Sequence, residues 1–206
     1  DFYTDKARAL AHLIKNYGAN ELRFTLRQDI LIRNIKEENL PFFYQELAKL
    51  DFVTLGYNTI NDVTACPGTD TCNLGIASST GIAVELERVL ATEYPQYSNN
   101  QEITIKISGC MNACGQHNMA EIGFQGMSIN SGKLVAPALQ VLLGGGNLGN
   151  GQGRFSDKVI KIPSRRGPEA LRLILNDFQA NANGLSFLNY YDAKGEKYFY
   201  EFLKPL

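Results

Sequence analysis

An α+β fold with α/β-like layers is what this sequence predicts. Three observations carry the prediction: helical periodicity alternates with short period-2 runs along the chain, strand-like runs end in glycine-rich loops, and the cysteines fall in those loops. From Thr4 to Tyr17 the apolar positions Ala7, Leu10, Ala11, Leu13 and Ile14 recur at helical spacing, with Thr4 as the expected cap and Gly18 as the stop. Two alternating runs follow, Glu21 to Leu26 and Asp29 to Ile35, separated by Arg27-Gln28, and Pro41 to Leu50 is again amphipathic. A first domain over 1–57 thus reads helix, strand, strand, helix, and a second runs over 58–206.

In the second domain a strand is expected near Thr59 to Thr64 and a helix from Ser78 to Tyr94, ended by Pro95. Glu102 to Ser108 (EITIKIS) alternates as a strand and delivers the chain to Cys110. Further strands are expected at Ala120 to Ile129, Lys133 to Leu143 and Lys158 to Ile162, then a helix from Gly167 to Ala182 with Pro168 in its first turn. The aromatic tail from Leu185 to Leu206 is expected as two helices broken at Gly195, with its rings packed into the core.

Composition narrows the function classes. The chain has 206 residues, 44% of them hydrophobic, and 20 Lys plus Arg against 21 Asp plus Glu, a formal net charge of -1. That balance speaks against a broad nucleic-acid surface, so no nucleic-acid partner is expected. No apolar run approaches the roughly 20 residues of a membrane span, and the N-terminus lacks the basic-then-apolar layout of a signal peptide, so a cytoplasmic protein without a membrane partner is expected. The sequence begins at Asp1 rather than Met, on residues that already read as helix, which suggests a piece of a longer protein.

Gly144 to Gly149 (GGGNLG) matches G-x-G-x-x-G, but the following NGQGRF opens no helix, so a loop between strands is expected there rather than a dinucleotide site. The cysteines are four: Cys66, Cys72, Cys110 and Cys114. Five residues between Cys66 and Cys72 suit a zinc knuckle poorly, and a disulfide in either pair is geometrically possible. An iron-sulfur cubane fits better, since a wide cage takes four thiolates from different directions and adjacent glycines leave N–H groups free for its sulfides.

The segments Thr64 to Ala83 (TACPGTDTCNLGIASSTGIA) and Ile107 to Gly126 (ISGCMNACGQHNMAEIGFQG) resemble the C-x5-C and C-x3-C pair of siroheme-dependent sulfite and nitrite reductases. The resemblance implies a ferredoxin-like half-domain followed by a mixed-sheet α/β domain that binds an iron-sulfur cluster and siroheme. It also implies that Cys66, Cys72, Cys110 and Cys114 hold a [4Fe-4S] cluster and that Cys114 bridges to the siroheme iron. Leu22 to Ile35 is similar to the strand-turn-strand whose turn reaches siroheme, which points to Arg27 and Gln28; a guanidinium matches the carboxylates of that cofactor. Asn112 can bond either siroheme or its own loop, and His117 is expected as a packing or supporting hydrogen-bonding residue rather than a ligand.

The implied activity is six-electron reduction of sulfite to sulfide or nitrite to ammonia, with a ferredoxin or a flavoprotein as donor. Family members contain two such repeats, and this chain resembles the second. The other partner implied is therefore the N-terminal half of a parent protein, where the substrate-binding Arg and Lys are expected, so no catalytic residue is assigned here. Alone, the chain is expected to be inactive and open to self-association; the alternative is a stand-alone [4Fe-4S] electron-transfer domain without siroheme.

Overall fold

The computed structural model describes residues 2–18 and 20–206. The chain divides into two compact units, residues 1–55 and 56–206. In the first, helix α1 (Thr4–Tyr17) and helix α2 (Leu40–Lys49) bury Leu10, Leu13, Ile14 and Phe43 against Leu22, Ile30 and Ile32 of an antiparallel pair, β1 (Leu22–Phe24) and β2 (Ile30–Ile32). The residue capping α1 is Tyr3, with no side-chain bond, so Thr4 is the first helical residue rather than the cap. Both strands are shorter than their alternation predicts. Thr25 diverts the chain: its hydroxyl accepts from the N–H groups of Arg27 and Asp29, and its carbonyl from that of Gln28.

The second unit is a five-stranded sheet in the order β3-β4-β5-β6-β9: β3 (Thr64–Ala65), β4 (Ile105–Ser108), β5 (Ile122–Ser131), β6 (Leu134–Leu143) and β9 (Asp157–Pro163). The pairs β3/β4 and β4/β5 are parallel, while β5/β6 and β6/β9 are antiparallel. Ile105, Ile107, Ile122, Phe124, Val141 and Leu143 share the core with α3 (Ser79–Glu93) and α4 (Gly167–Asn181). The alternate positions Lys106, Ser108, Gln125 and Gln140 face the other way, in register across three strands.

That alternation separates the two crossovers. The connection from β3 to β4 carries α3 on the apolar face. The connection from β4 to β5, residues 109–121, has no α-helix; it folds over the polar face, where Ser108 Oγ accepts from the Gly115 N–H at 3.0 Å and Lys106 Nζ donates to Gln116 Oε1 at 2.8 Å. Gly123 permits this, because a Cβ there would fall on the His117 carbonyl oxygen.

Three further expectations are corrected. The strand predicted near Thr59 begins only at Thr64, since residues 56–62 form turns held by Thr59 and Asp62. The strand predicted from Glu102 begins at Ile105, because Asn100 Oδ1 takes the N–H groups of Glu102 and Ile103. The glycine segment forms a hairpin, β7 (Gly146–Gly149) and β8 (Gln152–Arg154), because Gly149, Asn150 and Gly151 supply positive φ at the turn and Asn147 Oδ1 braces it.

The tail forms α5 (Phe187–Lys194) and α6 (Glu196–Leu203), broken at Gly195, and buries Phe187, Tyr190, Tyr191 and Phe199. The tyrosine tips are satisfied: Tyr190 and Tyr198 donate to Asp177 at 2.6 and 2.7 Å, and Tyr191 to Asp157 at 2.9 Å. Among the described residues no helix is long and apolar enough to cross a membrane. Phe124 is fully buried at the sheet centre, so Phe124→Ala should cost about 3–5 kcal/mol, read as a lowered urea midpoint at unchanged slope.

Candidate functional site: two cysteine loops on adjacent strand ends

Parallel strands β3 and β4 end side by side, and a cysteine follows each: Cys66 directly after Ala65, Cys110 two residues after Ser108. The loops that follow are joined backbone to backbone. The carbonyl of Gly109 accepts from the N–H groups of Ile76 and Ala77 at 2.8 and 3.1 Å, while its own N–H donates to Cys66 Sγ at 3.1 Å. Such an approach requires two glycines, since a Cβ on Gly109 would lie 2.6 Å from the Gly68 Cα.

Burial divides the thiols into two kinds. Cys66 and Cys110 are buried, Cys72 and Cys114 are exposed, and all are free. Burial pushes the Cys66 thiol up, but the Gly109 N–H, the Ser79 hydroxyl and the Gly68 N–H outweigh it and leave it below the ordinary thiol value. The Ser79 hydroxyl has one proton, and its shorter bond, 2.6 Å, goes to the Cys66 carbonyl; the amide N–H groups are the more durable support for a thiolate. Amide donors aimed at sulfur are what a cluster ligand requires.

Among the described residues no three His, Cys, Asp or Glu side chains form a set that could hold a single metal ion. A cubane takes each thiolate at a different iron, so the number of thiols, their two loops and the N–H donors suit it.

Asn112 is exposed between Cys110 and Cys114, beside Ala113 in the left-handed region at φ 57°. Arg27 and Gln28 form the tip of the β1–β2 turn in the first unit, Arg27 half-buried and Gln28 exposed at φ 68°. His117, expected as a supporting residue, is buried and hydrogen-bonded to the Gln125 side chain. Sequence reasoning missed Ser79 and Lys106; a serine in a helical first turn and a lysine in a strand carry no signal of the neighbours that tertiary packing brings them.

Comparison with known proteins defines the class. Residues 1–50 match the family model described as the nitrite/sulfite reductase ferredoxin-like half domain, and residues 56–190 match the nitrite and sulphite reductase 4Fe-4S domain. The chain belongs to the nitrite and sulphite reductase family. It is 31% identical over 150 residues to sulfite reductase [ferredoxin] 2 of Mycolicibacterium paratuberculosis, covering 70% of this chain and 26% of that protein. With the assimilatory ferredoxin-dependent nitrite reductase of Haloferax mediterranei it shares 24% identity over 201 residues, 97% of this chain and 34% of that protein. The solved structure of Mycobacterium tuberculosis NirA superposes at a TM-score of 0.78 with 25% identity, covering 95% of this chain and 36% of that one. Dissimilatory sulfite reductase I superposes at 0.75 with 11% identity, a likeness of fold, covering 98% of this chain and 66% of that one. The chain therefore spans about a quarter to a third of the length of the curated relatives it matches.

Two outcomes follow from the geometry. Gly109→Ala should separate the loops and lower stability by about 1–3 kcal/mol in urea unfolding. Burial and the nearby Lys158 charge push His117 down to about 4, with the Gln125 bond acting the other way. The folded state thus favours the neutral ring, and its stabilising contribution is lost as pH falls from the ordinary 6.5 towards 4, up to about 3 kcal/mol. Imidazole NMR should show a neutral His117 at pH 6, and His117→Gln should flatten the acid limb of stability against pH.

Proposed function

We propose that this chain is the cluster- and siroheme-carrying part of a longer nitrite or sulfite reductase. The observation that supports it best is the junction of the two cysteine loops, with the Gly109 N–H on Cys66 Sγ at 3.1 Å and the thiol held below its ordinary value. In this reading Cys66, Cys72, Cys110 and Cys114 hold a [4Fe-4S] cluster. Cys114, exposed and last in the motif, would also ligate the siroheme iron, while Arg27, Gln28 and Asn112 would hold that cofactor's periphery. When bound, the two coupled centres supply electrons singly to an anion that consumes six.

The chain's own residues then have separate tasks. The amides of Gly109 and Gly68 stabilise thiolate charge at Cys66, and the β4–β5 crossover, pinned by Ser108 and Lys106, orients the segment carrying Cys110 and Cys114. The names of the relatives support nitrite or sulfite as substrate and a ferredoxin as donor. Substrate-holding cations would come from the rest of the parent protein, and Phe24, Leu26 and Leu31, exposed on and between β1 and β2, suit a covering partner there.

Anaerobic expression with cluster-assembly and siroheme-synthesis capacity should yield about four iron and four acid-labile sulfide per chain, and Cys72→Ser should cut both severalfold with the fold retained. Siroheme absorbance should appear on coexpression with the rest of the parent gene and vanish in Cys114→Ser. Iron near one per chain without sulfide would overturn the cluster; a full cluster with no siroheme under any condition would leave an electron-transfer domain instead.

A further inference from the structure

Lys106 stands on β4, an internal strand of the five-stranded sheet, and is only 9% exposed. Burying an ammonium there costs stability, and an apolar residue would serve the strand better. Its Nζ donates to Gln116 Oε1 at 2.8 Å, a partner that offers a dipole rather than an opposite charge. A buried cation is stabilised chiefly by negative charge close at hand.

The crossover packed over Lys106 carries the candidate source of that charge. The Gln116 N–H donates to the Ala113 carbonyl at 2.8 Å and closes a turn that contains Cys114, with Ala113 and Gln116 both left-handed at φ 57° and 59°. The Gly115 N–H donates to Ser108 Oγ at 3.0 Å. A Cβ on Gly115 would fall on the Ile107 carbonyl oxygen, so the turn lies close against β4. Both residues that follow Cys114 are thus tied to β4, Gly115 to Ser108 and Gln116 to Lys106. The ammonium is separated from the Cys114 turn by one glutamine side chain.

We propose that Lys106 is a positioning residue for Cys114 and that its buried charge raises the reduction potential of the cluster Cys114 helps to hold. The inference rests on the cluster reading above. Four thiolates give a [4Fe-4S] cluster net negative charge, and an accepted electron adds to it, so a fixed cation favours the reduced state over the oxidised one. Salt and water screen a buried charge little. The step is the transfer of one electron with no bond formed or broken, and a higher potential lets a milder one-electron donor fill the cluster.

The test is a potentiometric titration of the anaerobically loaded chain, with dithionite as reductant, ferricyanide as oxidant and the reduced cluster read by electron paramagnetic resonance. Lys106→Gln leaves an NH2 group for Gln116 and removes the charge. At a fixed poise its ratio of reduced to oxidised cluster should fall about tenfold, which for one electron is a potential about 59 mV lower. Lys106→Arg keeps the charge and should stay within about threefold of the wild type. Lys133→Met, on the exposed β5–β6 turn, should change nothing. The potential compares two states of loaded cluster, so partial loading of a variant does not disturb it. Positioning is read on the cofactor-free chain: hydrogen exchange at the Gly115 N–H should quicken severalfold in Gln116→Ala and Lys106→Met, but not in Lys106→Gln. Unchanged exchange in both of the first two overturns the positioning role. A wild-type potential in Lys106→Gln, with about four iron and four sulfide per chain, overturns the charge effect and leaves the cluster reading intact. A wild-type chain that takes up neither iron nor sulfide overturns both.

Discussion

The close approach of Gly109 to Gly68 is the contact on which the site depends. Gly109, between Ser108 and Cys110, reaches both segments: its N–H donates to the Cys66 sulfur, and its carbonyl accepts from two N–H groups of the chain returning after Cys72. Cys66 is thereby fixed by backbone rather than by a flexible side chain. The cost is that no side chain can occupy either glycine, so the junction forms only if β3 and β4 end level with each other, as their parallel register makes them do.

The sheet's two faces explain how an apolar core and a polar site coexist a few ångströms apart. Side chains alternate by strict period, so Ile105 and Ile107 enter the core while Lys106 and Ser108 meet the β4–β5 crossover. That crossover has no α-helix to satisfy its own backbone, and the outward polar residues take over part of the task. A buried lysine, costly in isolation, finds Gln116 there. His117 follows directly, and burial beside Lys158 keeps its ring neutral.

Membership in the nitrite and sulphite reductase family fits this division of labour. The C-terminal unit supplies thiols of two kinds, two buried near the core and two at the surface, and the N-terminal unit presents Arg27 and Gln28 on a turn stapled by Thr25. Two of its cysteines and several large apolar side chains are exposed, and the relatives it matches are a little under three times as long.

What the sequence by itself determined was local and periodic. The helices over Ser79–Glu93 and Gly167–Asn181 and the strands from Ile122 to Leu143 were legible because their apolar spacing is long and regular, and the cysteine spacings were legible because ligand motifs are written along the chain. The errors fell where side chains compete for backbone groups: Thr25 shortened β1, Asn100 delayed β4, and Asn147 with its glycines turned an expected loop into a hairpin. Only the tertiary structure decided which thiols are buried, that the β4–β5 connection crosses the polar face, and that His117 and Ser156 share a cavity. Those facts depend on residues tens of positions apart, as in the 43-residue separation between Cys66 and Gly109, and hydrogen-bond and burial relations across such distances leave no periodic trace in a single chain.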